Sequence, residues 1–214
     1  MLATPSGLNN IPTTDVVPED VLVLQQFTNF GDSQATVFTG GLKYGPARNL
    51  EIGVDDNIGT VRRGLASAGV AGAGGAPARI PVFQAKYRLF DTEEGFAGAL
   101  GLANMSTDPP KAGSWVEYLA LSKTIGRGRA HAGYLVQGGT DALFVGADGP
   151  LGDRTTWRAD LIETNDGREH LTSVGFISEL TSRFLVEAWA SFPSASGVQD
   201  TFTLKFNYVL LGGD

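Results

Sequence analysis

Two histidines and no cysteine leave this 214-residue chain with few side chains suited to metal or nucleophilic chemistry. Without cysteine there is no disulfide, no thiol nucleophile and no thiolate-bound zinc. His131 and His170 share no ligand spacing, so a transition-metal site is not expected. A Ser–His–acid relay would need a serine beside His131, and no nucleophile motif marks one. His131 reads instead as a hydrogen-bonding group on the polar face of a strand. Asp148, Asp153, Asn165 and Asp166 could offer oxygen ligands, but their spacing fits no calcium loop and turn formation accounts for them. The small-residue run 69–75 lacks the Lys-Ser/Thr that follows a phosphate loop. No cofactor is expected, and nothing marks an enzyme.

What remains is charge laid out with a period of two. In Val82–Phe90, Gln84, Lys86 and Arg88 oppose Phe83, Ala85, Tyr87 and Leu89. Glu51 opposes Leu50 and Ile52; Arg129 and His131 oppose Ala130 and Ala132; Arg158 and Asp160 oppose Trp157 and Leu161. Glu187 opposes Val186 and Ala188, and Lys205 opposes Leu204 and Phe206. Such alternation belongs to β-strands with one polar and one apolar face. Glu117 breaks the rule by sharing a face with Leu119 and Leu121, and Ala142-Leu143-Phe144-Val145 is apolar on both faces. Either exception is consistent with a locally dry lumen or with a soluble core.

The alternation predicts strands at about 21–28, 35–44, 48–55, 81–90, 95–103, 114–123, 129–138, 140–148, 154–163, 170–179, 183–192 and 200–210. Most run longer than the ~5–6 residues usual in soluble proteins and approach the ~9–11 of a tilted strand crossing a bilayer. Tight Gly-, Pro- or polar-rich turns alternate with longer connections, apart from a very short link at Gly139. That is the asymmetry of a membrane barrel. Phe27, Tyr44, Phe90, Trp115, Trp157, Phe192, Phe202 and Tyr208 fall near strand ends, where interfacial girdles sit. No run reaches the ~20 apolar residues of a spanning helix. The net charge is -7 with basic residues scattered, so nucleic acid is not an expected partner.

The expected fold is therefore all-β: a closed, antiparallel, up-and-down transmembrane barrel of about twelve strands. Residues 1–20 form an N-terminal extended segment and residues 21–214 a single barrel domain. Lipid bilayer or detergent is the expected surrounding. Two other readings fit the alternation: a soluble barrel or sandwich binding an apolar ligand or a partner protein, and a self-assembling surface subunit.

The segment Gly7-Leu8-Asn9-Asn10-Ile11-Pro12-Thr13-Thr14-Asp15-Val16-Val17-Pro18 resembles the opening of some Gram-negative outer-membrane barrels, exopolysaccharide-associated ones among them. The stretch Leu204–Leu211 resembles the alternating aromatic signal read by the barrel-assembly machinery, although here Gly212-Gly213-Asp214 follows it. The resemblance implies a barrel and a bacterial outer-membrane location, and no particular substrate. Met1–Gly7 has neither the basic nor the apolar region of a signal peptide, so the location further implies a mature form whose leader has been removed. The expected function is a narrow pore, or a structural or export component. Glu51, Lys86, Arg88, Glu117, Arg129, His131, Arg158, Asp160, Glu187 and Lys205 would line its lumen, and the 56–80 loop would occlude it.

Overall fold

The structure, a computed structural model, describes residues 7–31, 36–61, 81–108, 114–164 and 168–212. Twelve strands follow in order: β1 (Leu22–Phe30), β2 (Thr36–Ala47), β3 (Leu50–Val61), β4 (Val82–Asp91), β5 (Phe96–Met105), β6 (Val116–Ile125), β7 (Gly128–Gln137), β8 (Thr140–Pro150), β9 (Thr155–Thr164), β10 (Glu169–Thr181), β11 (Phe184–Pro193) and β12 (Thr201–Leu211). Each pairs antiparallel with its neighbours in sequence, and β1 pairs with β12 to close the barrel. Closure leaves no strand edge to recruit another copy, which removes the basis for self-assembly through edges. β3 continues to Val61, past its expected end at 55. The remainder of the 56–80 loop lies outside the described residues.

The tight turns lie at one end, with the start of β1 and the end of β12; we call this the turn end. The longer connections lie at the opposite, loop end. The exception at the loop end joins β7 to β8 through Gly138 (φ 60°) and Gly139 (φ 86°). Paired positive φ values are what a two-residue hairpin loop requires, and they favour glycine.

The side chains are distributed inside out relative to a soluble barrel. On β8, Leu143 and Val145 point outward at 53% and 52% exposure, while Phe144 between them is 1% exposed. The buried groups of the wall include Glu51, Lys86, Arg158, Asp160 and Glu187. In water, such an outer surface would be an apolar patch far beyond the few hundred Å² a soluble monomer tolerates. Hydrocarbon removes that cost, which decides between the membrane and soluble readings. Phe30, Phe83, Trp115, Phe192 and Phe202 ring the loop end, and Phe90, Phe96, Trp157 and Tyr208 lie toward the turn end, all outward. Phe27 departs from the expected girdle. It shares the inward face of β1 with Gln25, and its ring carries Lys205 Nζ at 4.7 Å from the centroid.

Residues 7–20 form no strand. Pro12 and Pro18 withhold ladder donors, and the segment lacks alternation. Asp20 turns the chain at φ 59°. Asp20 N donates to Gly45 O (2.8 Å) and Gly45 N to Val21 O (3.1 Å). A buried cluster of Val17, Val21, Val23 and Val209 fixes this bend at the turn end. From there the segment runs inside the barrel.

Candidate functional site

The lumen has two walls that treat their charges differently. On β9, β11, β12 and β1 the charged groups pair with one another, leaving Arg158 Nε and Gln25 Oε1 as buried atoms without a partner. Glu187 is the hub: its Oε2 accepts from Arg158 Nη1 (2.6 Å), and its Oε1 from Lys205 Nζ (3.1 Å) and Asn207 Nδ2 (2.7 Å). Asn207 Oδ1 then accepts from Gln25 Nε2 (3.0 Å). Arg158 reaches Glu187 across β10, where its register partner is Gly175. A buried carboxylate with two cations and an amide is compensated, which is the condition for keeping it charged away from water.

A second set of polar groups, drawn from β3, β4 and β6–β11 and so sharing β9 and β11 with the first, turns to the N-terminal segment. Val17 N donates to Glu51 Oε2 (2.9 Å), and Lys86 Nζ donates to Asp15 O (2.9 Å). Arg129 makes a two-pronged contact with Asp148 (3.1 and 2.6 Å) and extends Nη1 to Asp15 Oδ1 (2.7 Å). Burial pushes the Asp15 carboxyl up, but the charge and hydrogen bond of Arg129 outweigh it and hold the group below its ordinary 3.8. Asn9 N and Asn10 N converge on Asp160 Oδ2 at 3.0 and 3.3 Å. Asn10 Nδ2 donates to Ser173 Oγ (2.5 Å) and Ser191 Oγ (2.9 Å). Leu8 and Ile11 pack on Ala120 and Phe144, with Leu135 and Ile162 at the margin. The doubly apolar β8 is thus a dry patch of lumen, capped by the segment.

Ser122 Oγ lies 2.7 Å from His131 Nδ1, and His131 Nε2 lies 3.2 Å from Asp148 Oδ2. The three residue types of a hydrolytic triad therefore meet in space. Thr14 Oγ1 donates to Ser122 Oγ (2.9 Å), and both Ser122 and His131 are buried. Thr14 thus covers the serine oxygen from the segment side. The contacts serve as a relay anchoring the segment. Asp148 lies within β8 and is not a turn residue.

Above the segment, toward the loop end, the lumen opens into a vestibule of about 920 Å³ floored by Gly7–Pro12. Gln25, Asn29, Gln84 and Gln137 line it, with the rings of Phe27, Tyr118 and Trp189. Its lysines are paired: Lys43 Nζ with Asp55 Oδ2 (3.3 Å), and Lys205 with Glu187. Asp141 and Glu163 add carboxylates. Gln25 Oε1 and Asp55 Oδ1 have no protein partner.

Of the ten residues expected to line the lumen, Glu51, Lys86, Arg129, His131, Arg158, Asp160, Glu187 and Lys205 lie on the two walls just described. Arg88 sits at the turn-end rim, bonded to Asp91 (3.5 Å), Asn49 (3.3 Å) and Arg48 O (3.5 Å). Glu117 is a correction. It faces outward beside Leu119 and Leu100, because Tyr118, Ala120 and Ser122 take the inward positions of β6. Its place one residue from the strand's loop-end start puts the carboxylate at the membrane boundary, where water reaches it. Lys123 is its counterpart at the turn end, lying over the Phe96 ring (3.8 Å).

An outward apolar belt, a polar lumen and twelve closed antiparallel strands define the class: an outer-membrane-type β-barrel. Solved structures with this fold include the KdgM porin, matched with a TM-score of 0.65 and 9% identity over 87% of this chain and 98% of that one. The NanC porin aligns with a TM-score of 0.56 and 10% identity over 87% and 98%. An active-site variant of outer membrane phospholipase A from Escherichia coli aligns at 0.54 and 12% over 94% and 93%. The likeness is one of fold, and the Gram-negative outer-membrane barrel expected from the sequence is the architecture found. No family model matches the chain, and no curated protein does.

Proposed function

We propose that the protein is an outer-membrane pore for small, uncharged hydrophilic solutes, with a lumen narrowed by its own N-terminal segment. The carrying observation is the vestibule, whose polar lining is dominated by carboxamides beside aromatic faces while its lysines are neutralised by wall carboxylates. Amides offer a donor and an acceptor to each hydroxyl or amide of a solute, and aromatic faces accept its apolar edges. Unpaired cations, which an acidic polymer would need, are not supplied by these lysines. The KdgM porin has been solved with oligogalacturonate; Asp55, Asp141 and Glu163 in this vestibule argue for a different cargo.

Proteoliposome swelling tests the proposal. Small neutral sugars should permeate faster than monovalent organic anions of the same size. In planar bilayers, Lys86→Glu should shift ion selectivity more than Arg88→Glu, because only Lys86 lies within the lumen. Failure of every solute to cross, in the wild type and in a variant with the segment displaced, would remove the pore and favour a structural role.

A further inference from the structure

Three charged groups of the lumen wall bind main-chain atoms of the N-terminal segment. Asp160 Oδ2 accepts from Asn9 N and Asn10 N, Glu51 Oε2 accepts from Val17 N, and Lys86 Nζ donates to Asp15 O. Main-chain groups are common to every polypeptide, so these contacts recognise a chain as such. Selectivity is added at two points. The Asn10 amide fits between Ser173 and Ser191. Leu8 and Ile11 enter an apolar notch over Gly146, where a Cβ would come within 2.6 Å of Leu8 Cδ1 and 2.7 Å of Ile11 Cδ1. The notch is an apolar patch beside the polar contacts that hold Asn9 and Asn10, and it is dry only while occupied.

The occupant makes little structure of its own. Leu8 N donates to Ile11 O (3.0 Å) and Thr13 Oγ1 to Asp15 Oδ2 (3.1 Å). Its two ends also differ. The Val17 end is fixed in the valine cluster, whereas the Gly7 end borders the open vestibule.

We propose that this wall is a polypeptide-binding site, filled here in cis by residues 7–17 acting as a tethered ligand. It accepts in trans a peptide of the same chemistry: an apolar–Asn–Asn–apolar stretch followed by an acidic residue. The tether holds its ligand at an effective concentration on the order of millimolar. A free peptide therefore competes well only when the tethered copy is weakened. The site does not depend on the barrel conducting, so its test reads binding and not current.

The full chain is folded in detergent, and a fluorescein-labelled peptide of residues 7–18 is titrated by anisotropy. The triple variant Leu8→Ala, Asn10→Ala, Ile11→Ala leaves the wall untouched. It should bind the peptide saturably, at least about tenfold more tightly than the wild type does. A peptide carrying the same three changes should bind neither. Equal binding to both proteins, or none to a triple variant that keeps its heat-modifiable gel migration, overturns the proposal. A second measurement covers a variant that does not fold. Asn10→Cys introduces the only thiol in the chain, and its reaction with a water-soluble maleimide reads release of the segment. Excess unlabelled peptide should accelerate that reaction by holding the vacated wall; an unchanged rate counts against the site.

Discussion

The two walls of the lumen neutralise similar charges by opposite means. Around Glu187, cations and amides from β9, β11, β12 and β1 close a network belonging wholly to the barrel. Around Asp160 the compensating groups sit on the N-terminal segment, and Glu51 and Lys86, which face each other in the β3–β4 register, each add a contact to it. The first arrangement persists as long as the barrel does. The second can be exchanged for water or for another chain, at a cost set by a few hydrogen bonds and one apolar notch. A barrel can thus keep one wall as scaffold and offer the other as a receptor.

Four substitutions or conditions probe that contrast, from the largest effect to the smallest. Glu187→Gln strands Arg158 and Lys205 and should cost about 3–5 kcal/mol, read as a lowered urea midpoint in detergent. Gly146→Leu should expel Leu8 and Ile11 from their notch and raise single-channel conductance several-fold, at a modest loss of stability because its Cβ also meets Ala159 O at 3.1 Å. A large loss of stability there would mean that the segment is part of the scaffold. Asp160→Asn keeps an oxygen for Asn9 N and Asn10 N and should cost about 1 kcal/mol; a penalty matching that of Glu187→Gln would erase the contrast. The smallest effect is that of acid on Asp15. Its carboxyl is held below 3.8 in the folded protein, so its anchoring is complete above that value and is lost as pH falls through the lowered one. Single-channel conductance should stay flat at neutral pH and rise only in acid, as the segment loses this anchor.

The strands were legible because alternation is local and repeats in every hairpin. Which side of β6 faces inward was not, since a single charge, Glu117, outweighed its leucine neighbours in the sequence reading, and a charge near a strand end can meet water from the outer face. Phe27 misled for the same reason: nearness to a strand end does not fix a side chain's direction. The Ser122–His131 contact was within reach. The tight turn pairing Ile125 with Gly128 puts Ser122 directly opposite His131 by counting back along the hairpin. Asp148 then follows from the next hairpin only approximately, since its register partner is Arg129 and it meets the imidazole diagonally. The position of residues 7–20 could not be read. They carry no period, and no local pattern names the partners that hold them.

Those partners set the order of assembly. The contact of Val17 with Glu51 spans 34 residues, and that of Asn10 with Ser191 spans 181. Hairpins close over short loops, whereas contacts of such long separation bear their loop-closure entropy before any return. The receiving wall is also assembled from β3 through β11, so it exists only once the sheet has curled. Insertion of the segment is therefore expected to follow the curling of the sheet, so that a nascent barrel passes through a stage with an unfilled lumen.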